Sequence, residues 1–343
     1  MAEVSSDKNI IAVTGSTGLL GSYLIKELVS CGQHNIRVLL RSESNPQKLF
    51  SFLEHHNIKA QGIEVVQFNM SNPFEWADKL KGVKTLYHCA AVVAIGGIDP
   101  QEIITVNREL TAKVVDGCIA SGVDLLVHVS SIATLGGSKN KGIMVNENMH
   151  LDNFANCSAY TISKFFAENQ VKRGAIFGLK TIIVHPAIIL GSSSAESSGS
   201  ASIASQAINK GVFYTQGVIG YVDVVDVARA MVMLSSQDKA VNKSYLLCSE
   251  NASYKHIIET IRKVAKKPAP ICGVGYKMLS AIASMGKLWE KISGTKAVIT
   301  KDIARNMCTK SYYDGSLISR EFNFSYTPLD QTLERITKEY LLK

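Results

Sequence analysis

A tyrosine and a lysine four residues apart are the first candidates for chemistry in this sequence. The stretch "SAYTISKFFAEN" places Tyr160 and Lys164 one helical turn apart, so both side chains project from the same face of a helix. A phenol with its ordinary pKa of about 10 exchanges protons poorly near neutrality, whereas a neighbouring ammonium favours the phenolate and lowers that pKa. The pair therefore suits general acid–base catalysis, although the same spacing also occurs in surface pairs without a function.

Three glycines form a second candidate site, where an apolar run gives way to an amphipathic one in "AVTGSTGLLGSYLIKEL". Glycine weakens regular structure, so Gly15, Gly18 and Gly21 must serve either a tight strand-to-helix turn or a ligand that approaches the backbone closely. The first candidate for such a ligand is a phosphate at a helix N-terminus. In that interpretation Gly15 forms the turn, Gly18 admits a pyrophosphate, and Gly21 lets the helix pack on the sheet.

The elements that must position these residues alternate along the first half of the chain. Apolar, β-branched runs predict strands at about 10–14, 36–40, 63–67, 84–88, 125–130 and 180–185, and helical patterns fill the gaps at about 19–31, 46–56, 101–121 and 158–177. Strands separated by helices pair in parallel through right-handed crossovers, which predicts a Rossmann-type doubly wound α/β sheet. Ligands of such sheets bind beyond the carboxyl ends of the strands, where Gly15 falls.

The composition is that of a well-buried globular protein. The 343 residues include 46% hydrophobic and 19% charged residues, which argues against disorder. The net charge of +8 suits anionic ligands, but the basic residues are scattered, which favours a solvated surface over a nucleic-acid face. The seven cysteines form no C-x-x-C pair, and the sequence shows no secretory signal, membrane-spanning run or metal-binding pattern. We therefore expect a cytoplasmic protein with reduced thiols and no metal site.

The glycine motif, which reads T-G-x-x-G-x-x-G, resembles that of the extended short-chain dehydrogenase/reductases, the NAD-dependent epimerase/dehydratase superfamily. Further motifs of that family follow in order along nearly the whole chain: "LYHCAA" (86–91), "VNRELT" (106–111), "VSSIATLGG" (129–137), "YTISK" (160–164), "HPAIILG" (185–191), "GYVDVVDVARA" (220–230) and "YYDGSLISREFNF" near the C-terminus. The "HPAIILG" stretch is most similar to dihydroflavonol reductases, cinnamoyl-CoA reductases and 3β-hydroxysteroid dehydrogenases.

This resemblance implies an NAD(P)-dependent oxidoreductase that transfers a hydride between the nicotinamide and a carbonyl or secondary alcohol of a small organic substrate. In the family's mechanism Tyr160 would carry the proton, Ser131 would orient the reacting oxygen, and Lys164 would also hold the nicotinamide ribose. Ser130 is expected to support the structure. The positions that the resemblance assigns to the cofactor are Gly15, Thr17, Gly18, Leu19, Leu20, Gly21, Arg41, Asn69, Met70, Ala90, Ala91, Val129, Tyr160, Lys164, Pro186, Ile188 and Ile189.

Two other activities of this scaffold fit the sequence less well. Sugar-nucleotide dehydratases carry an Asp-Glu pair after the catalytic hydroxyl, where this chain has Ile132 and Ala133. Sugar-nucleotide epimerases tend toward "RPxNxYGP", where this chain has "HPAIILGS", and we interpret His185 as a structural histidine. A nucleotide-sugar 4-epimerase stays the alternative enzyme. A non-enzymatic dinucleotide sensor is the alternative from another class, against which the intact Ser-Tyr-Lys set argues.

Arg41 bears on the choice between the two dinucleotides. It lies about 20 positions after Gly21, where an acidic residue would hold the ribose 2′-hydroxyl of NAD and an arginine would accommodate the 2′-phosphate of NADP. We therefore expect NADP, although Glu43 is near enough in sequence to reach the ribose of NAD, and Arg41 could instead stack on the adenine. Asn69 replaces the aspartate usual at the end of the third strand. Asn107 matches an asparagine of the family that is structural or near the cofactor, and a helix-surface role fits equally.

The second half of the chain predicts a smaller C-terminal lobe. We expect a dinucleotide-binding domain from residues 1–186, with 220–248 returning to it, and a substrate-binding lobe from 187–219 and 249–343. The Ser/Gly-rich stretch 191–202 is either a lid or a linker. Helical spacing at 276–292 predicts a core-facing or pocket-lining helix, with membrane association as a minor alternative. The sequence leaves open the substrate, the reaction direction and the choice between monomer and homodimer.

Overall fold

The structure is a computed structural model that describes residues 9–93, 99–136, 142–155, 157–192, 202–293 and 301–342. Its strands are β1 (Ile10–Thr14), β2 (Ile36–Arg41), β3 (Ile63–Phe68), β4 (Val83–His88), β5 (Leu125–Val129), β6 (Lys180–Pro186), β7 (Ile188–Leu190), β8 (Phe213–Tyr214), β9 (Val218–Asp223), β10 (Lys243–Leu247), β11 (Glu250–Ser253) and β12 (Cys272–Gly273). Its helices are α1 (Leu19–Ser30), α2 (Gln47–His55), α3 (Pro73–Lys79), α4 (Pro100–Ser121), α5 (Ala159–Ile176), α6 (Ile203–Lys210), α7 (Val224–Ser235), α8 (Tyr254–Val264), α9 (Tyr276–Ser293), α10 (Lys301–Cys308), α11 (Ser316–Phe322) and α12 (Leu329–Leu341).

A seven-stranded parallel sheet forms the centre of the molecule. Its strand order is β10-β6-β5-β4-β1-β2-β3, and each neighbouring pair is parallel. The predicted Rossmann-type doubly wound fold is therefore confirmed, with its six strands and four helices in place. Helix α3 is not predicted by the sequence, because it is too short for a clear helical period, and β10 is a seventh strand that the local pattern does not identify.

Successive residues of the central strands point into two cores on opposite faces of the sheet. Ala12, Leu126 and Ile183 belong to the core under α4 and α5, whereas their neighbours Val13 and Val127 belong to the core on the other face. Because helices cover both faces, these strands are continuous apolar runs rather than alternating ones. The carboxyl edge of the sheet is left as the place where polar groups can gather.

Helix α5, which carries the candidate tyrosine and lysine, is held closely against α4. It begins where the Ser158 hydroxyl accepts a hydrogen bond from the Thr161 N–H, which satisfies one free donor of the first turn. Gly174 permits the close approach, since a Cβ there would lie 2.7 Å from Cγ1 of Val115 on α4. The packing fixes α5 beside β5 and β6 and so determines which strand ends its side chains reach.

A smaller three-stranded sheet, β11-β9-β7, is formed by strands that follow β6 in the chain. It packs with α6, α8 and α12 around its own apolar core. We propose that residues 187–219 and 249–343 form the substrate-binding lobe and that 220–248 return to the large domain, with the boundary inside β9. The helix predicted at 276–292 is α9, which buries Leu279 and Ala283 and exposes Met278 and Met285. Residues 193–201 of the predicted lid or linker lie outside the described residues. No helix in the described part of the chain has the length and apolar character needed to cross a bilayer.

Candidate active site

A cavity of about 1100 Å³ opens at the carboxyl edge of the large sheet. Of the predicted site residues, those that line it are Gly15, Thr17, Gly18, Leu19, Leu20, Gly21, Arg41, Met70, Ala90, Ala91, Val129, Ser131, Tyr160, Lys164, Pro186, Ile188 and Ile189. Asn69 is not brought to the cavity, because its side chain accepts a hydrogen bond from the Ser71 N–H at 3.0 Å in a local turn before α3. Predicted site residues at the ends of six strands, β1 to β6, thus line one cavity.

The three glycines of the first loop meet different demands. Gly15 has a φ of +73°, and a Cβ there would lie 2.7 Å from the backbone nitrogen of Ala90. A Cβ at Gly21 would lie 2.2 Å from the carbonyl oxygen of Gly15, so this residue lets α1 approach the loop. Gly18 has an ordinary φ of −88°, and its Cβ would meet only the Gly15 oxygen, at 3.3 Å. Two glycines are therefore required by the fold, and the third keeps space clear at the cavity wall.

The first turn of α1 presents donors to this cleared space. No side chain caps the helix and its first turn holds no acidic residue. Within the described residues, the N–H groups of Leu19, Leu20 and Gly21 have no backbone acceptor. They lie at the positive end of the helix dipole, which attracts anions. The loop and the helix end therefore fit the pyrophosphate of a dinucleotide, with Gly18 as the position that admits it.

Tyr160, Lys164 and Ser131 meet at the junction of α5 with the end of β5. Tyr160 and Ser131 line the same cavity. Lys164 donates from Nζ to the carbonyl oxygen of Val129 at 2.5 Å, and only 4% of the lysine is exposed. Ser131 begins a 3₁₀ turn (Ile132–Leu135), where its Oγ accepts from the Ala133 N–H at 3.2 Å. One face of α5 therefore brings an acid–base pair to a hydroxyl at a strand end.

Burial dominates the electrostatics of these groups. It lowers the pKa of Lys164 to about 8, against opposing effects of Cys89 and Glu168. Burial raises the pKa of Tyr160, and the Ser131 side chain opposes that rise. The lowering of the tyrosine pKa that the sequence predicts from the neighbouring ammonium does not contribute in this geometry, because the ammonium is directed at Val129.

A buried carboxylate, which the sequence analysis did not single out, lies one turn beyond Lys164. Glu168 accepts a hydrogen bond from the Ser130 hydroxyl at 2.6 Å and contacts Nε2 of His185 at 2.9 Å, and its other oxygen pairs with Lys172 at 2.7 Å. Burial raises the pKa of Glu168, but the hydrogen bond and charge of His185 and the charge of Lys172 bring it well below its usual range. The signal in the sequence is an acid at helical spacing after Lys164. The structural interpretations of Ser130 and His185 remain predictions that agree with these contacts.

Asn107 is buried between the segment after β4 and α5 rather than exposed on the surface of α4. Its Oδ1 accepts from the Val92 N–H at 2.7 Å, and its Nδ2 donates to the Val92 carbonyl at 3.0 Å and to Oγ of Ser163 at 2.9 Å. The side chain therefore ties the segment after β4 to α5. The helix-surface alternative is wrong, because only 2% of the residue is exposed.

Arg41 and Glu43 stand together at the part of the cavity wall that follows β2. Both are exposed, and Nη1 of Arg41 lies 3.3 Å from Oε1 of Glu43. Ser44 lines the cavity beside them. The same part of the cavity wall thus holds a guanidinium able to bind a phosphate and a carboxylate able to accept a hydrogen bond from a ribose hydroxyl.

The remaining chemistry of the described residues is sparse. No group of three or more histidine, cysteine or acidic side chains in the described ranges is arranged to hold a metal ion. All seven cysteines are free thiols, and burial raises the pKa of Cys89 in the cavity wall to about 12.

Comparison with known proteins identifies relatives over most of the chain. The model of the NAD dependent epimerase/dehydratase family matches residues 11–248. The chain is 28% identical over 273 residues to sterol demethylase protein B of Methylococcus capsulatus, covering 79% of each chain. It is 23% identical over 325 residues to a putative dihydroflavonol 4-reductase of Synechocystis, covering 94% of this chain and 91% of the relative. This relative confirms the resemblance to the reductase-like branch.

The fold is also shared with solved structures. The UDP-glucuronic acid 4-epimerase of Bacillus cereus, solved in complex with UDP-glucuronic acid and NAD, superposes with a TM-score of 0.74 at 18% identity. The match covers 96% of this chain and 99% of that one. At this identity the likeness establishes the architecture and leaves the reaction to be argued from the site.

Proposed function

Because this chain belongs to the NAD dependent epimerase/dehydratase family, we propose that it is an NAD(P)-dependent oxidoreductase that interconverts a carbonyl and a secondary alcohol of a small organic substrate. The observation that carries the proposal is the meeting of Tyr160, Ser131 and Lys164 in the cavity that the glycine loop also lines. A sensor that only binds a dinucleotide would need the glycine loop but would have no use for a hydroxyl and a phenol that line the same cavity.

Each residue has a separate task in this proposal. The bound cofactor would supply or accept a hydride at the carbonyl carbon. The free N–H groups of Leu19 and Leu20 would bind its pyrophosphate, and Lys164 would hold the nicotinamide ribose. The Ser131 hydroxyl would donate to the reacting oxygen and fix its position against Tyr160. Tyr160 would give its phenolic proton to that oxygen during reduction and take it back during oxidation.

The environment of Tyr160 and Lys164 has a consequence for this task. A phenol with a raised pKa is a poor proton carrier, whereas a nearby cation stabilises its phenolate. Lys164 lies one turn away, and among the described residues its ammonium donates to a main-chain carbonyl. We infer that engagement of Lys164 with the ribose turns the ammonium toward the phenol and so prepares the tyrosine for proton transfer.

We infer further that NADP is the preferred dinucleotide. Arg41 stands at the end of β2, exposed and lining the cavity, and it can turn from Glu43 to a 2′-phosphate at little cost, since exposed ion pairs contribute about 0–1 kcal/mol. A charge-assisted hydrogen bond to that phosphate is worth about 1.5–3 kcal/mol. The free energy gained from the bond between Arg41 and the 2′-phosphate exceeds the free energy lost with the Arg41–Glu43 ion pair, which favours NADP over NAD.

The test is the change of nicotinamide absorbance when the purified protein is given NADPH or NADH with a panel of aldehydes, ketones, sterols and UDP-sugars. Consumption of reduced cofactor with a carbonyl compound is the expected result. Conversion of a UDP-sugar to its 4-epimer without net change of cofactor would instead support the epimerase. Tight cofactor binding without turnover of any compound on the panel would favour the sensor.

A further inference from the structure

Three side chains on one face of α5, each one turn apart, lie beside three consecutive residues at the end of β5. Tyr160 lines the cavity together with Ser131, Lys164 donates to the carbonyl of Val129, and Glu168 accepts from the hydroxyl of Ser130. The first two side chains belong to the proposed reaction. The third has no part in it so far.

We propose that Glu168 is a positioning residue, which anchors the turn that carries Ser131 against α5 and so sets the geometry between Ser131 and Tyr160. The inference rests on the proposed function, because it matters only if those two hydroxyls act together.

The anchoring follows from the number of contacts that converge on one buried carboxylate. Oε2 of Glu168 receives the Ser130 hydroxyl at 2.6 Å and lies 2.9 Å from Oγ1 of Thr134, in the 3₁₀ turn that Ser131 begins. Oγ1 of Thr134 also lies 2.9 Å from the carbonyl oxygen of Ser131. A hydroxyl has one proton, so Thr134 donates to either oxygen, and in both cases the turn around Ser131 is closed. Ser130, directly before Ser131, is thus held by the helix that carries Tyr160, and Thr134 closes the turn that follows Ser131.

The backbone of Ser130 is also fixed, by the neighbouring strand β6. The Ser130 N–H donates to the carbonyl of Val184 on β6 at 2.8 Å, and His185, the next residue, contacts Glu168 through Nε2 at 2.9 Å. Ser130 is therefore tied to β6 through its backbone and to α5 through its side chain. Ser131 follows with no residue between, so its freedom to move relative to Tyr160 is small.

The chemistry at this point calls for a carboxylate rather than an amide. The Ser130 hydroxyl and the cationic Lys172 bring protons to Glu168 from two directions, and only 5% of the residue is exposed. A glutamine of the same shape would offer an N–H₂ group where one of these donors stands, so one contact would be lost. Because buried polar networks depend on every member being satisfied, the turn would loosen although the side-chain volume is unchanged.

The experiment compares Glu168→Gln with Asp116→Asn in the full-length protein. Asp116 of α4 pairs with Arg173 of α5 at 2.6 Å, lies outside the cavity lining, and serves as a matched acid-to-amide change on the same helix pair. We expect Glu168→Gln to lower kcat about ten- to a hundredfold, as small misplacements of reacting groups do. Cofactor affinity, measured by calorimetry, should stay at the wild-type value, and Asp116→Asn should change neither quantity.

A double-mutant cycle with Ser130→Ala shows whether Glu168 acts through the anchored turn. If it does, the double variant should lose no more kcat than the more impaired single variant, because one contact is broken in each. If Glu168→Gln does not fold, Ser130→Ala alone decides, since it removes the same contact and should lower kcat with cofactor affinity unchanged. Wild-type kcat in folded Glu168→Gln, or fully multiplicative losses, would overturn the proposal. Tyr160→Phe is measured in parallel, and if it too keeps full turnover, the proposed function has failed rather than this inference alone.

Discussion

The matched substitutions Gly18→Ala and Gly21→Ala should separate cofactor binding from folding. Both add one methyl group to the same loop, three residues apart. At Gly21 the new Cβ would lie 2.2 Å from the carbonyl oxygen of Gly15 and 2.7 Å from Cα of Ser16, both of them backbone atoms that cannot rotate away. At Gly18 it would stand 3.3 Å from the Gly15 oxygen and otherwise in open space at the cavity wall.

The expected magnitudes follow from these distances. Gly21→Ala should lower the free energy of unfolding near the upper end of the roughly 1–3 kcal/mol that overpacking costs, because no rotamer relieves the contact. Gly18→Ala should cost at most about 1 kcal/mol, the difference between glycine and alanine at a helix N-cap. Its methyl group would obstruct the approach of the pyrophosphate to the helix N–H groups. Loss of one charge-assisted hydrogen bond of about 1.5–3 kcal/mol weakens cofactor binding about ten- to a hundredfold.

Urea unfolding gives the stability of both variants, and calorimetry with NADPH gives the affinity of those that fold. The reasoning is refuted if Gly18→Ala is folded and binds NADPH as tightly as the wild type, since the loop would then be a turn without a ligand. Equal stability of Gly21→Ala and the wild type would contradict the packing argument separately.

Two further predictions concern the cofactor and the buried lysine. In the wild type, the ratio of kcat/KM for NADPH to that for NADH should be well above ten, since about 1.4 kcal/mol already gives tenfold. In Arg41→Ala the ratio should fall toward unity. A wild type that prefers NADH would refute the assignment of NADP. Lys164 has a pKa of about 8 in the folded chain and an ordinary value of 10.5. The cost of burying its charge is therefore complete below pH 8 and is relieved as the pH rises from 8 to 10.5, because the unfolded chain binds the extra proton in that range. Between pH 8 and pH 10 the wild type should gain about 2 kcal/mol of unfolding free energy relative to Lys164→Met, at about 1.4 kcal/mol per pH unit. Urea unfolding of both proteins at the two pH values measures this difference. If the unfolding free energies of the two proteins changed equally with pH, the burial of a charged lysine would be contradicted.

The sequence predicts those parts of the fold that depend on local residue patterns. The six strands and the helices between them follow from mostly apolar runs and helical spacing, because a sheet covered on both faces buries both sides of its strands. Helix α3 and strand β10 were not predicted, for different reasons. The helix is too short to show a helical period. Strand β10 pairs with β6 only because the chain returns to the large sheet, and no local pattern encodes that return.

The site residues likewise fall into those that local spacing predicts and those that only the fold brings together. Tyr160, Lys164 and the glycine loop have fixed spacings on single elements, so the sequence places them without a structure. Glu168 has a visible spacing too, but its partners Ser130 and His185 come from β5 and β6, and only the folded sheet brings them within 3 Å. The direction of Lys164 toward the Val129 carbonyl likewise depends on how α5 packs and could not be inferred from its spacing with Tyr160.

The most direct test of the proposed function is the turnover of Tyr160→Phe with the carbonyl substrate found on the panel. The substitution removes the hydroxyl that would carry the proton but keeps the ring, so the fold and the cofactor affinity should persist. The account predicts that kcat falls by at least about 10²-fold, the contribution of a positioned acid–base group. Near-wild-type turnover by a folded Tyr160→Phe protein that binds NADPH normally would contradict it.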